Sequence, residues 1–208
     1  MASEATVTSD PVRILLVRHG QSEWNAVGRW QGWADPPLSD LGRQQSRLAG
    51  KGLQGIDVVA SSDLRRAIDT ATLMAEPLGL PGPSVVARLH EHYVGAWTGL
   101  TRAEIDRRWP EALAAMTDPP GGESVTTLQA RVGTAVTHLA QTYPDSVVLA
   151  VTHGGVIRGL ERHLGVAPDA LPNLGGAWLE VSSDTMTIGP RVLLVDPSEV
   201  AVTIPRQL

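Results

Sequence analysis

The chain reads as an α/β protein: a three-layer α/β/α sandwich, one mostly parallel sheet with helices on both faces. Two observations predict this. Short β-branched apolar runs alternate with longer segments whose apolar residues recur at three and four, the pattern of strands joined by helical crossovers. Two of the strand-like runs also end in histidine followed by glycine, at His19-Gly20 and His153-Gly154. In open α/β sheets, the carboxyl ends of strands are where ligands bind.

Taken in order, Val12–Val17 is too short for a helix and β-branched, so it predicts a buried strand. The Gly/Trp/Pro-rich stretch 20–38 contains Pro36-Pro37 and predicts irregular structure. Ser39 or Asp40 can cap a helix running to about Leu53, and Ile56–Ser61 predicts a second strand. Ser62 or Asp63 is then expected to cap a helix with its apolar stripe at Leu64, Ala67, Ile68, Ala71, Met74, Ala75 and Leu78. Pro81-Gly82-Pro83 breaks the chain before a brief strand at Ser84–Ala87.

Thr101 and Glu104 form a capping-box pattern opening a helix that stops near Trp109-Pro110. After the loop at Pro119–Gly122, Val125, Leu128, Val132, Ala135, Val136 and Leu139 mark one face of a long helix. A strand at 147–152, a helix at 154–164 and strands near 177–182 and 191–195 complete the expected elements. No repeat or linker interrupts them. The expected organisation is a disordered tail over 1–10 and one domain over 11–208.

Composition narrows the function. A net charge of −5 argues against a nucleic-acid partner, which would need a basic face, so any anion site must be a local cation cluster. The absence of cysteine excludes disulfides, thiolate nucleophiles and cysteine–zinc sites. The first ten residues carry no basic or apolar signal region, and no apolar run reaches membrane-span length. A cytoplasmic location, with no membrane partner, is the expectation.

Three strand ends bring chemistry together: Arg18 and His19 from the first, Arg65 and Arg66 from the helix after the second, and His153 from the last parallel one. Leu16-Val17-Arg18-His19-Gly20-Gln21-Ser22-Glu23-Trp24-Asn25 resembles the signature of the histidine phosphatase superfamily, which includes the phosphoglycerate mutase-like enzymes. Ser61–Ala71, Leu89–Leu100 and Val151–Arg158 resemble its second, third and fourth blocks, in order, and Gly121-Gly122-Glu123-Ser124 also matches. Together they cover roughly residues 12–182.

The resemblance implies a phosphomonoesterase acting on small phosphorylated metabolites through a phosphohistidine at His19. Arg18, Arg66 and His153 would clamp the phosphoryl oxygens, Asn25 would donate a hydrogen bond, and Glu91 would be general acid and base. Gln31 and Gly154 are further candidates for substrate contact. No metal and no cofactor is expected. His90-Glu91-His92 has the alternation of residues split between two faces rather than of a ligand set.

Trp30, Tyr93 and Trp97 flank motif residues and are expected at the pocket mouth, whereas Trp109 and Trp178 read as structural. Arg65 reads as an exposed helix arginine, and the position of Asn173 fits the family pattern poorly. A cofactor-dependent phosphoglycerate mutase is one alternative, but the segment between Glu91 and His153 has room only for a short helix, a loop and a long helix, too little for a mutase-like lid. A catalytically inactive phospholigand-binding protein is the second. Sugar phosphates, phosphoglycerate derivatives such as glucosyl-3-phosphoglycerate, and broader organic monoesters all stay open as substrates. A homodimer is possible on sequence grounds.

Overall fold

The computed structural model describes residues 10–115 and 117–204. Most of the expected tail, residues 1–9, lies outside the described residues. Six strands form one sheet: β1 Val12–Arg18, β2 Val58–Ser61, β3 Ser84–Val85, β4 Val147–Thr152, β5 Gly175–Val181 and β6 Met186–Leu193. Their spatial order is β3-β2-β4-β1-β5-β6. The pairs β1–β4, β2–β4 and β2–β3 are parallel, and β5 pairs antiparallel with both β1 and β6.

Alternation along the central strands builds two cores. Ile14 and Leu16 of β1, with Val148 and Ala150 of β4, face one way, against Leu128, Val132 and Val136 of helix α5 (Val125–Thr142) and Val156, Ile157 and Leu160 of α6 (Gly154–His163). Leu15, Val17, Leu149 and Val151 face the other, against Ala49 of α2 (Asp40–Gly52) and Ala67, Ala71 and Met74 of α3 (Arg65–Leu78). Helices thus cover both faces, as the sequence predicts. Strands buried on both sides must be apolar along their centre, which is why residues 14–17 of β1 and 147–151 of β4 are unbroken apolar runs. A third, smaller cluster joins Trp30, Val94, Trp97 and Leu113 to Ile105 of α4 (Arg102–Arg108).

Four details depart from the sequence reading. The stretch 20–38 holds a one-turn helix, α1 (Glu23–Ala26), because Ser22 and Asn25 form a capping box with asparagine in the usual Glu/Gln position. Helix α3 is capped by Leu64, which offers no side-chain bond, since the Ser62 hydroxyl is engaged by His153 and Leu64 N instead. Asp35 takes over part of that role, its Oδ2 accepting from Arg65 N at 3.1 Å. The final strand spans Met186–Leu193 rather than 191–195, an edge strand that tolerates Pro190 because one side of its ladder faces no neighbour. The brief third strand is only Ser84–Val85, and the chain turns at once into a 3-10 turn, Ala87–Leu89.

Candidate active site

The site lies at the carboxyl ends of β1, β4 and β2, adjacent because the three strands are parallel neighbours. Chain continuation beyond the strands is pinned by backbone bonds: His19 N donates to Thr152 O, and Ser62 N to Val151 O, both at 2.9 Å. Thr152 Oγ1 donates to Leu89 O at 2.8 Å, tying the segment that carries Glu91 to the end of β4. His153 then caps α6 with no side-chain bond to its first turn, so the helix N-terminus presents open amides at the same place.

His19 is buried, and its Nδ1 lies 2.6 Å from Gly20 O. A carbonyl only accepts, so Nδ1 carries the proton and Nε2 keeps its lone pair. Burial, reinforced by Arg66 and Arg18, holds the ring well below the ordinary histidine range, so it is neutral at neutral pH. His153 packs edge-on against it, centroids 5.2 Å apart, and is depressed in the same way by burial, then Arg66, His19 and Arg18. Its Nε2 meets Ser62 Oγ at 2.7 Å. Ser62 Oγ already accepts from Leu64 N; donating its own proton to Nε2 leaves His153 Nδ1 as a free donor.

Two guanidiniums, Arg66 and Arg18, flank the two rings, and a third, Arg158, adjoins Arg18. Arg66 is fully buried, its Nη1 and Nη2 held by Ala34 O at 2.7 Å and Gly32 O at 2.9 Å. Arg18 Nη1 donates to Leu171 O at 2.6 Å. Burial and the neighbouring Arg158 pull Arg18 down to about 9, with Glu91 opposing, and burial brings Arg66 to about 10. Arg158, on α6, is also buried and lowered chiefly by burial.

What remains unpaired defines the site. The buried Nε atoms of Arg18, Arg66 and Arg158, with Asn25 Nδ2 and His153 Nδ1, have no hydrogen-bond partner. Buried donors are ordinarily satisfied, so such a concentration around one neutral imidazole is an anion cradle awaiting oxygen atoms. Asn25 is held for this by its Oδ1, which accepts from Ser22 N and Asn173 Nδ2.

Glu91 is half-buried on the far side, its Oε2 accepting weakly from Gly155 N at 3.4 Å and its Oε1 from His92 N at 2.8 Å. Its backbone is held by Trp33 Nε1 at 2.8 Å from Glu91 O and by Arg131, which donates to the carbonyls of Arg88, His90 and Glu91. Glu123 orients Arg131 with both carboxylate oxygens.

Of the residues expected from sequence, Arg18, His19, Asn25, Arg66, Glu91 and His153 converge. Gln31 lines the vestibule beside Glu91, its Oε1 accepting from Ser22 Oγ. Gly154 opens α6 so close to the cations that a Cβ would lie 3.0 Å from Arg158 Nη1 and 3.4 Å from Arg18 Cζ. Arg65 is exposed and paired with Asp69, as expected. His90 meets Asp63 and stacks on Trp33, whereas His92 Nε2 meets Glu123 O, so the two diverge.

Trp30 and Trp97 are only 4% and 3% exposed, not mouth residues; Trp33, at 45%, is at the mouth with Tyr93. Sequence reasoning missed Ser62, Gly155, Arg158 and the role of Asn173, whose Nδ2 donates to His19 O at 2.8 Å as well as to Asn25. The segment after Val195 is fixed beside α2 through Gln45 Nε2 to Ala201 O and Asn173 N to Thr203 O.

Residues 14–187 match the family model of the histidine phosphatase superfamily (branch 1). Glucosyl-3-phosphoglycerate phosphatase of Mycolicibacterium vanbaalenii is 37% identical over 196 residues, covering 85% of this chain and 87% of the relative. A 2,3-bisphosphoglycerate-dependent phosphoglycerate mutase of Methylobacterium radiotolerans is 36% identical over 176 residues, 77% of this chain and 83% of that one. Among solved structures, a mycobacterial glucosyl-3-phosphoglycerate phosphatase in complex with VO3 superimposes with a TM-score of 0.78 at 33% identity, covering 86% of this chain and 98% of that one.

Proposed function

This chain belongs to the histidine phosphatase superfamily, branch 1, and on that premise we propose that it is a metal-independent phosphomonoesterase acting on small phosphorylated metabolites. The observation that carries the reading is the ring of buried, unpaired donors around a neutral histidine whose Nδ1 is already committed. Such a cradle binds a phosphoryl group and leaves Nε2 in line to attack it. The phosphatase named for the mycobacterial relative supports sugar-phosphate or phosphoglycerate-type esters as substrates.

In this mechanism His19 Nε2 forms a bond to phosphorus as the ester P–O bond breaks. Arg18, Arg66, Asn25 and His153 hold the three non-bridging oxygens, neutralising the charge spread over them in the transition state. Protonated Glu91 gives its proton to the leaving oxygen, and the alcohol departs. Glu91 then takes a proton from water as that water attacks phosphorus. The N–P bond breaks, phosphate leaves, and His19 regains its lone pair. Arg158, beside Arg18 and Glu91, adds positive charge at the same centre.

The mutase relative makes transfer to a second acceptor the competing reading. Hydrolysis is favoured because the segment from Glu91 to His153 holds, among its described residues, only short turns, α4, α5 and the strand β4, and the mouth beside Glu91 is lined by exposed Trp33 and Tyr93. Incubation with 3-phosphoglycerate separates the two: inorganic phosphate is expected, and accumulation of 2-phosphoglycerate in its place refutes hydrolysis. His19→Ala should abolish release of p-nitrophenol from its phosphate ester. An unchanged rate rules out the phosphohistidine route.

A further inference from the structure

Beyond the phosphoryl cradle lies a cavity of about 530 Å3, lined by the segment after α4 and by helices α5 and α6. Its volume falls in the range of small-molecule sites, about 300–1,000 Å3. The vestibule beside Glu91 has walls of its own in Gln31, Glu91 and Arg158, but shares Trp30, His92 and Gly155 with this cavity. The order along the opening is therefore cation cradle, Glu91, then the cavity. A group bonded to an oxygen beside Glu91 would have this cavity next to it.

The chemistry of the walls identifies what they would accept. Leu113, Val125, Leu128 and the indoles of Trp30 and Trp97 make the surface predominantly apolar. Among the described walls the charged residues are Asp118 and Arg162, and Asp118 Oδ1 already accepts from Val125 N. A polyol would shed water there and recover few partners. The indoles of Trp30 and Trp97, packed edge-on with centroids 5.4 Å apart, make an aromatic wall suited to another ring.

We infer that this cavity holds the alcohol portion of the substrate and selects phosphate monoesters whose alcohol carries an apolar ring. The inference rests on the phosphomonoesterase reading and narrows it away from polyhydroxylated esters. The test compares kcat/KM of the full chain on ethyl and 2-phenylethyl phosphates and on glucose 6-phosphate. The two alkyl esters leave as primary alcohols of similar acidity, so differences report on binding of the alcohol. The phenylethyl ester should exceed ethyl phosphate at least about tenfold, from burial of the ring. It should also exceed glucose 6-phosphate.

One variant localises the effect. Leu113→Trp, which fills the cavity, should bring the phenylethyl-to-ethyl ratio close to one. Ratios within one protein cancel any loss of folded enzyme. Equal kcat/KM for both alkyl esters, or a preference for glucose 6-phosphate, overturns the cavity assignment while leaving the phosphatase intact. Release of phosphate from none of them overturns both.

Discussion

Gly155 packs so tightly against Glu91 that a methyl group in its place would overlap the carboxylate oxygen Oε1, and would also lie 3.1 Å from His92 Cβ. The glycine is needed for space, since it is an ordinary helical residue in the first turn of α6. Gly155→Ala should therefore displace Glu91, the proposed proton donor, without touching the cradle. Loss of general-acid help costs about 10²–10⁴ in rate, so kcat on an alkyl phosphate should fall by about a hundredfold. p-Nitrophenyl phosphate, whose leaving group needs little protonation, should lose much less. Equal losses on the two esters would separate Gly155 from the acid.

Arg131 holds three carbonyls of the segment bearing Glu91 while Glu123 fixes its guanidinium. Arg131→Gln should lower kcat on alkyl phosphates by about tenfold, an order of magnitude suited to a misplaced catalytic group, with KM little changed. Arg131→Lys should restore little, because a point charge cannot span several carbonyls. Steady-state kinetics with a parallel thermal melt distinguishes misplacement of Glu91 from general unfolding.

Both buried histidines lie below their unfolded value near 6.5, chiefly through burial. The unfolded chain then binds more protons than the folded one, so stability rises with pH in this window and falls on acidification below about 6.5. Each histidine that is still neutral in the fold contributes a slope of about 1.4 kcal/mol per pH unit there. The Tm should drop between pH 7 and 5, and the His19→Gln/His153→Gln double variant should show a visibly shallower drop. Activity at saturating substrate should not show an acid limb at the ordinary histidine pKa. A slope unchanged in the double variant would assign the acid sensitivity elsewhere.

Arg191 of β6 grips both carboxylate oxygens of Glu161 on α6, at 2.7 and 2.8 Å, and donates to the carbonyls of Asp169 and Ala170. Glu161 is nearly sealed from solvent, while Arg191 is partly exposed and its pKa is raised by the bond to Glu161. Arg191→Ala strands a buried carboxylate and should cost about 2–3 kcal/mol in urea unfolding. Adding Glu161→Gln to Arg191→Ala should recover part of that loss. The same arginine anchors the loop whose Leu171 carbonyl receives Arg18, so kcat/KM should fall modestly as well.

Sequence made the centre of the sheet legible because β1 and β4 are buried on both faces, and continuous apolar runs leave little choice of strand. The histidines and arginines that follow were legible for the same reason: strand ends in a parallel sheet share an edge. Asn173 and Ser62 were not. Each acts through a bond to a residue more than ninety positions away, and neither an isolated asparagine nor a serine before a helix announces that partner. Ser62 read as a helix cap, its ordinary use, and its hydroxyl instead serves His153. Arg158 was hidden differently, since an arginine on an amphipathic helix is usually solvated and only its burial beside Arg18 marks it as part of the cradle.

The reversed direction of β5 decides when the centre can exist at all. Strands β1, β2 and β4 point their carboxyl ends at His19, but β5 runs the opposite way, so its entry, with Leu171 and Asn173 just ahead of it, arrives at the same edge. On a ribosome His19, Glu91 and His153 emerge before the residues that steady Arg18 and Asn25. A nascent chain halted short of that return would hold crowded positive charge without its restraints. The centre is complete only once the segment leading into β5 has arrived.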